Sequence, residues 1–167
     1  VIPGIQAGKF DSGVSGITVT EDRKKNVDFS DPYFLASQAI VVTPDSTITC
    51  KADLTGKKIS VQTGTTAESF CMANGYTVSS FEANSDAQTA LTAGKVDAWV
   101  VDNLTAIQMV EEGEGLVILE EKMTEEPYAF AFAMGSEDLV AAINEALAEL
   151  IADGTVESIF AAHGEAY

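Results

Sequence analysis

The chain has 167 residues, enough for one sizeable core or two small ones. Its 9 basic and 26 acidic residues give a net charge of −17, which argues against nucleic acid, because phosphate backbones demand basic surface. An apolar content of 46% argues against disorder, and no apolar run reaches the length of a membrane span.

Val1 to Lys9 is predicted as a short helix, with Pro3 in its first turn, where a missing N–H costs nothing. Val14 to Thr18 reads as a strand. Thr20 follows as an N-cap, and Glu21 and Asp22 favour the start of the next turn. Phe34 to Thr43, FLASQAIVVT, is one long β-rich run leading to Pro44. From there strands and helices alternate, which predicts a parallel or mixed sheet covered on both faces. The strands are Lys57 to Gln62, Thr77 to Phe81, Val96 to Val101 and the short Leu116 to Leu119. The helices are Thr65 to Asn74, Ser85 to Ala93 and Asn103 to Glu112, each stopped by a glycine: Gly75, Gly94 and Gly113. Tyr128 to Met134 alternates aromatic and small residues. Ser136 then caps a helix to about Ala152, with Leu139, Ile143, Leu147 and Leu150 on one face. Gly154 breaks it, and a last helix carries Val156, Ile159 and Phe160.

Cys50 and Cys71 are not spaced for metal and have no histidine close in sequence. They are either idle thiols or a disulfide, which an exported protein would tolerate. His163, the single histidine, sits among alanines and reads as surface. There is no Ser/His/Asp set, no metal-ligand cluster and no nucleotide loop of the GxxxxGK[ST] kind, so no catalytic residue, metal or cofactor is expected.

The stretch from Val14 to Phe34 carries the most chemistry. Gly16 lets a ligand approach the backbone, because it has no Cβ. Thr18 offers a hydroxyl, and Arg23 offers a planar fork that matches a carboxylate. A lone arginine here would ordinarily read as a surface cation paired with Glu21 or Asp22. Further on, Gln62 to Ala67 follows a strand and opens a helix, whose first N–H groups favour an anion. Thr65 and Thr66 lie in that turn, although most such turns are only caps. Asp102 ends a strand, where open α/β sheets place ligands, and it could equally cap the following helix. Tyr33, Trp99 and Tyr128 are candidate wall or, more simply, packing.

Gly16-Ile17-Thr18-Val19-Thr20-Glu21-Asp22-Arg23 and Asp28-Phe29-Ser30-Asp31-Pro32-Tyr33 closely resemble the signature of the bacterial extracellular solute-binding proteins for polar amino acids, family 3. Val61 to Thr66 and Val96 to Asp102 are similar to that family's second-lobe ligand loops, and Ile2 to Asp11 and Ile151 to Thr155 to its flanking helices. The resemblance implies an α/β fold of the periplasmic-binding-protein-like type II class, with two lobes joined by two hinge strands. Lobe one would be residues 1–43 and 132–167, and lobe two residues 44–131. It implies capture of a polar amino acid in an interlobe cleft for an ABC importer, through Gly16, Thr18, Arg23, Gln62, Thr65, Thr66 and Asp102. Arg23, Thr65 and Thr66 would hold the carboxylate; Asp102 and the Gly16 carbonyl would hold the ammonium. The expected partners are an amino acid and a membrane permease. The expected location is extracellular or periplasmic, as a lipoprotein or after loss of a signal peptide.

In that family a strand, a helix and a strand precede the residue matching Val1. The resemblance therefore implies that lobe one is incomplete at its N-terminus, and that the chain compensates by dimerising or exchanging elements. Two other readings use the same scaffold: a cyclohexadienyl dehydratase-like enzyme, and the ligand-sensing domain of a membrane receptor. The first needs a positioned acid or base, for which only ordinary carboxylates are candidates.

Overall fold

The computed structural model describes residues 1–112 and 115–163, which form two compact units. Gly113, expected to stop a helix, lies outside the described residues.

The first unit comprises residues 1–35 and 126–167. Its elements are α1 (Ile2–Gln6), β1 (Ser12–Thr18), α2 (Glu21–Lys24), β2 (Asp28–Phe29) and β3 (Phe34–Ala36), with β9 (Glu126–Phe132), α6 (Glu137–Ala152) and α7 (Thr155–Ala162) from the end of the chain. The sheet is built on β9, which runs antiparallel between β1 and β2 and also pairs with β3. Its core gathers Ile5, Ile17, Val27 and Ala131, all apolar and buried. Phe34 stacks on Phe160 of α7 at 4.1 Å between ring centroids.

One expectation for α6 needs correction. Ser136 stands at the N-cap but its side chain makes no cap bond. Instead the Asp28 carboxylate accepts the N–H groups of Gly135 at 2.7 Å and Ser136 at 2.9 Å. A carboxylate there also suits the positive end of the helix dipole. The predicted apolar face is only partly covered: Leu147 is buried, but Leu139 is 44% and Leu150 42% exposed. Two of this unit's four strands, β2 and β3, have only two and three residues, so the sheet offers little for a 16-residue helix to cover.

The second unit is residues 36–125. It holds β4 (Gln38–Val42), a 3₁₀ turn (Lys51–Leu54), β5 (Lys58–Gln62), α3 (Thr66–Ala73), β6 (Thr77–Phe81), α4 (Asn84–Thr92), β7 (Ala98–Asp102), α5 (Asn103–Glu112) and β8 (Val117–Ile118). The sheet order is β6-β5-β7-β4-β8. The first three strands are parallel, and β4 runs antiparallel to both β7 and β8. The two-residue period of the strands splits the core into two layers. Ile40, Ile59, Val61, Ala98 and Val100 pack with Cys71 of α3 on one face. Ala39, Val41, Trp99 and Val101 pack with Leu91 of α4 and Ala106 of α5 on the other. The mixed, doubly covered sheet expected from the sequence is thus present, and Trp99 is core.

The long run Phe34 to Thr43 is not one strand. It breaks at Ser37 into β3 and β4, which belong to different sheets. Ser37 donates its N–H to Asn103 Oδ1 at 3.0 Å and accepts the Asn103 N–H at 2.9 Å. Both of its backbone groups are therefore held by a residue distant in sequence. The units change at 35/36 and 125/126, earlier than the 43/44 and 131/132 boundaries read from the sequence. The strand pairing explains the difference: β4 is built into the second sheet, and β9 is the central strand of the first. Cys50 and Cys71 are both free thiols, which removes the disulfide alternative for this structure.

Candidate functional site

In the first unit, β1 delivers Gly16 and Thr18, and α2 delivers Arg23. The β1–β9 register shifts between Gly13 and Ile17, as at a β-bulge, and Gly16 lies in it with φ +53°. Residues with a Cβ rarely adopt that conformation. A Cβ on Gly16 would also sit 3.1 Å from the Tyr128 ring. The Tyr33 phenol lies against this bulge: burial pushes its pKa up, and a hydrogen bond with the Gly16 backbone partly opposes the shift. Tyr33, Tyr128 and Phe130 form a packed aromatic group beside it, with Tyr33 and Phe130 centroids 5.0 Å apart.

Arg23 is placed by three local facts. Thr20 caps α2 as expected, its hydroxyl accepting the Arg23 N–H at 3.2 Å. The guanidinium donates from Nη1 to the Thr18 carbonyl at 2.9 Å. Glu21 pairs with Lys24 at 2.8 Å and Asp22 with Lys25 at 2.6 Å. The neighbouring acids are thus matched to lysines, while the buried end of β1 steers the half-buried arginine.

In the second unit, three chain segments meet at the C-terminal ends of β5 and β7. Asp102 is the last residue of β7 and sits in register with Gln38, the first residue of β4. Gln38 is fully buried. Its side-chain Nε2 donates to Asp102 Oδ1 and, at 3.1 Å, to the Thr66 hydroxyl. Its main chain is fixed on both sides: the N–H is accepted by Thr124 Oγ1 at 2.9 Å, and the carbonyl accepts the Met123 N–H at 3.0 Å. Gln38 therefore brings Thr66 and Asp102 together.

Thr65 and Gln62 are engaged in building the turn. The Thr65 hydroxyl donates to the Gln62 carbonyl at 2.7 Å and accepts the Glu68 N–H at 3.2 Å, as an N-cap does. The Glu68 carboxylate accepts the Gly64 N–H at 2.7 Å. The Gln62 amide donates to the Glu82 carbonyl at 3.0 Å and accepts from Asn84 at 3.1 Å, so both of its ends are used. The N–H groups of Thr66 and Ala67, at the start of α3, have no intrahelical acceptor by their position.

Of the residues singled out in the sequence, Gly16, Thr18 and Arg23 are thus grouped in one unit, and Thr66 and Asp102 in the other. Thr65 and Gln62 adjoin the latter pair with their side chains occupied. Gln38 was missed. The available signal was a lone amide in an otherwise apolar strand, which costs free energy unless it is paired.

The bacterial extracellular solute-binding proteins, family 3, match this sequence over residues 1–166. The chain belongs to that family. It is 35% identical, over 95% of its own length, to the glutamine-binding protein of an ABC transporter from Bacillus subtilis, and spans 59% of that relative. It is 31% identical, again over 95% of its length, to an L-cystine-binding protein from Escherichia coli, and spans 62% of it. The chain thus covers about three fifths of these curated family members. Among solved structures, an ancestral arginine-binding protein bound to glutamine superposes with a TM-score of 0.87 at 44% identity, covering 95% of this chain and 73% of that one. The architecture is the mixed α/β, type II periplasmic-binding-protein class expected above.

Proposed function

We propose that this family member binds a free polar amino acid and delivers it to an ABC importer. Two sets of groups, each described within its own unit, support the reading. One unit presents a guanidinium steered by a strand end. The other presents a carboxylate and a helix N-terminus tied together through Gln38. These are the charges that the carboxylate and ammonium of an amino acid call for. In this reading Arg23, Thr66 and the α3 N–H groups take the carboxylate, with Thr18 setting the arginine. Asp102 and the Gly16 carbonyl take the ammonium. Thr65 and Gln62 contribute by shaping the turn.

The relatives named above bind glutamine, cystine and arginine, and these three are the ligands to try first. Titration calorimetry on the full-length protein is expected to show saturable one-to-one binding of at least one of them. No binding to any common amino acid overturns the reading. We take the protein to be a binder and not an enzyme, because the relatives it matches are named for binding. Prephenate or arogenate turnover would contradict that.

The importer's permease is the proposed partner. The proposed location is outside the cytoplasmic membrane, as a lipoprotein or periplasmic protein, and membrane fractionation of the producing cell tests it. Self-association is proposed as well, supported by the exposed Leu139, Leu150 and Ile159 on α6 and α7. Light scattering that finds only monomer contradicts it.

A further inference from the structure

Gln38 is the buried amide on which the second half-site turns, and its chemistry has a direction. An ionised carboxylate only accepts hydrogen bonds, so the side of the amide facing Asp102 must be the NH₂ group. That same NH₂ group reaches the Thr66 hydroxyl at 3.1 Å. A hydroxyl that accepts there keeps its one hydrogen to donate elsewhere. With the amide reversed, Oε1 would face a carboxylate and the Thr66 hydrogen would be drawn to it. The assigned orientation has a cost: Gln38 is 0% exposed, and its Oε1 has no hydrogen-bond partner among the described residues. Leaving an acceptor unpaired in the interior is costly, and the two bonds made by the NH₂ end offset that cost.

We propose that Gln38 is a positioning residue of the ligand site, which holds the ionised Asp102 carboxylate in place and sets the Thr66 hydroxyl as a donor through one buried NH₂ group. This deepens the amino-acid-capture reading and rests on it. Gln38 acts through its two neighbours. It lets the end of β7 and the start of α3 present an acceptor for an ammonium and a donor for a carboxylate side by side. The main-chain clamps by Thr124 and Met123 keep the amide at that spot.

Two measurements test the assignment. The first uses the wild-type protein. Side-chain amide protons of Gln38 are followed by NMR as pH is lowered, alongside the Asp102 carboxyl carbon. The two are expected to titrate with one midpoint, because protonating the carboxylate weakens the bond it accepts. A Gln38 amide that is indifferent to Asp102 protonation overturns the proposal, and a purely packing role would leave it indifferent. The second is calorimetry with L-arginine, L-glutamine and L-cystine on wild type and Gln38→Met, which keeps the length and removes the donor. The variant is expected to bind about tenfold more weakly. A wild type that binds with a Gln38→Met variant equally tight overturns the positioning role alone. A wild type that binds none of the three overturns amino-acid capture and this assignment together. A variant that fails to fold leaves the decision to the wild-type titration.

Discussion

Arg23 is half-buried, capped into α2 by Thr20 and directed by the Thr18 carbonyl. In the proposed site, Arg23→Ala should therefore remove the ligand's carboxylate partner. Affinity is expected to fall about a hundredfold, roughly 3 kcal/mol, with an almost unchanged melting temperature. Gly16→Ala should behave in the opposite way. It forces a Cβ into a left-handed conformation and against the Tyr128 ring. Unfolding in urea should show a loss of about 1–3 kcal/mol. At the thiols, burial pushes Cys71 up to about 12 and hides it, whereas Cys50 is half-exposed. A thiol reagent should label one site per native chain and two after denaturation; no labelling after denaturation would mean a disulfide. The candidate residues Arg23, Thr18, Thr66 and Asp102 stand in ordered motifs that single them out through the family resemblance. Gln38 does not, because its two side-chain partners lie 28 and 64 residues away and nothing local marks them. The structural duty of Gln62 was hidden for a similar reason, whereas the cap made by Thr65 was one of the two readings its turn allowed.

Among the elements, α3 matters most, since its first turn belongs to the proposed site. Thr65→Ala removes the side chain that accepts the Glu68 N–H and holds the Gln62 carbonyl. It should cost about 1 kcal/mol of stability, read from the urea midpoint, and should loosen the turn that presents Thr66. Most element positions could be read directly from local signals. The glycines Gly75, Gly94 and Gly154 each follow or break a helix with φ between 65° and 79°. The strands of the second unit alternate between its two core layers. The break at Ser37 was not readable, because the residues on either side share one β-rich composition. It is Asn103, brought up by β7, that takes both Ser37 backbone groups. The cap of α6 was misread for the same kind of reason: Ser136 is local, but the carboxylate that does the capping comes from Asp28.

For the whole molecule, 26 acidic against 9 basic residues make self-repulsion a general destabilising term. Raising salt from about 10 to about 200 mM shortens the Debye length and should raise the melting temperature. The pH dependence has two limbs. Hydrogen bonds from the Thr49 backbone and side chain hold the Asp53 carboxyl below its ordinary value, and the Thr155 side chain and backbone do so for Asp153. Their contribution is present above the unfolded carboxylate range and is lost as pH falls through the depressed folded values. Burial instead raises Cys71 from an ordinary value near 9 to about 12, so the neutral thiol is favoured. That contribution is complete below the ordinary value and is lost as pH climbs from about 9 towards 12. Cys71→Ala should flatten the alkaline limb. The most direct measurement is a calorimetric titration of the full-length protein with L-arginine, L-glutamine and L-cystine, repeated on Arg23→Ala and Asp102→Asn. One-to-one binding of at least one amino acid, markedly weakened in both variants, is the predicted result. Undiminished affinity in either variant, or no binding by the wild type, would contradict a shared grip on one zwitterion.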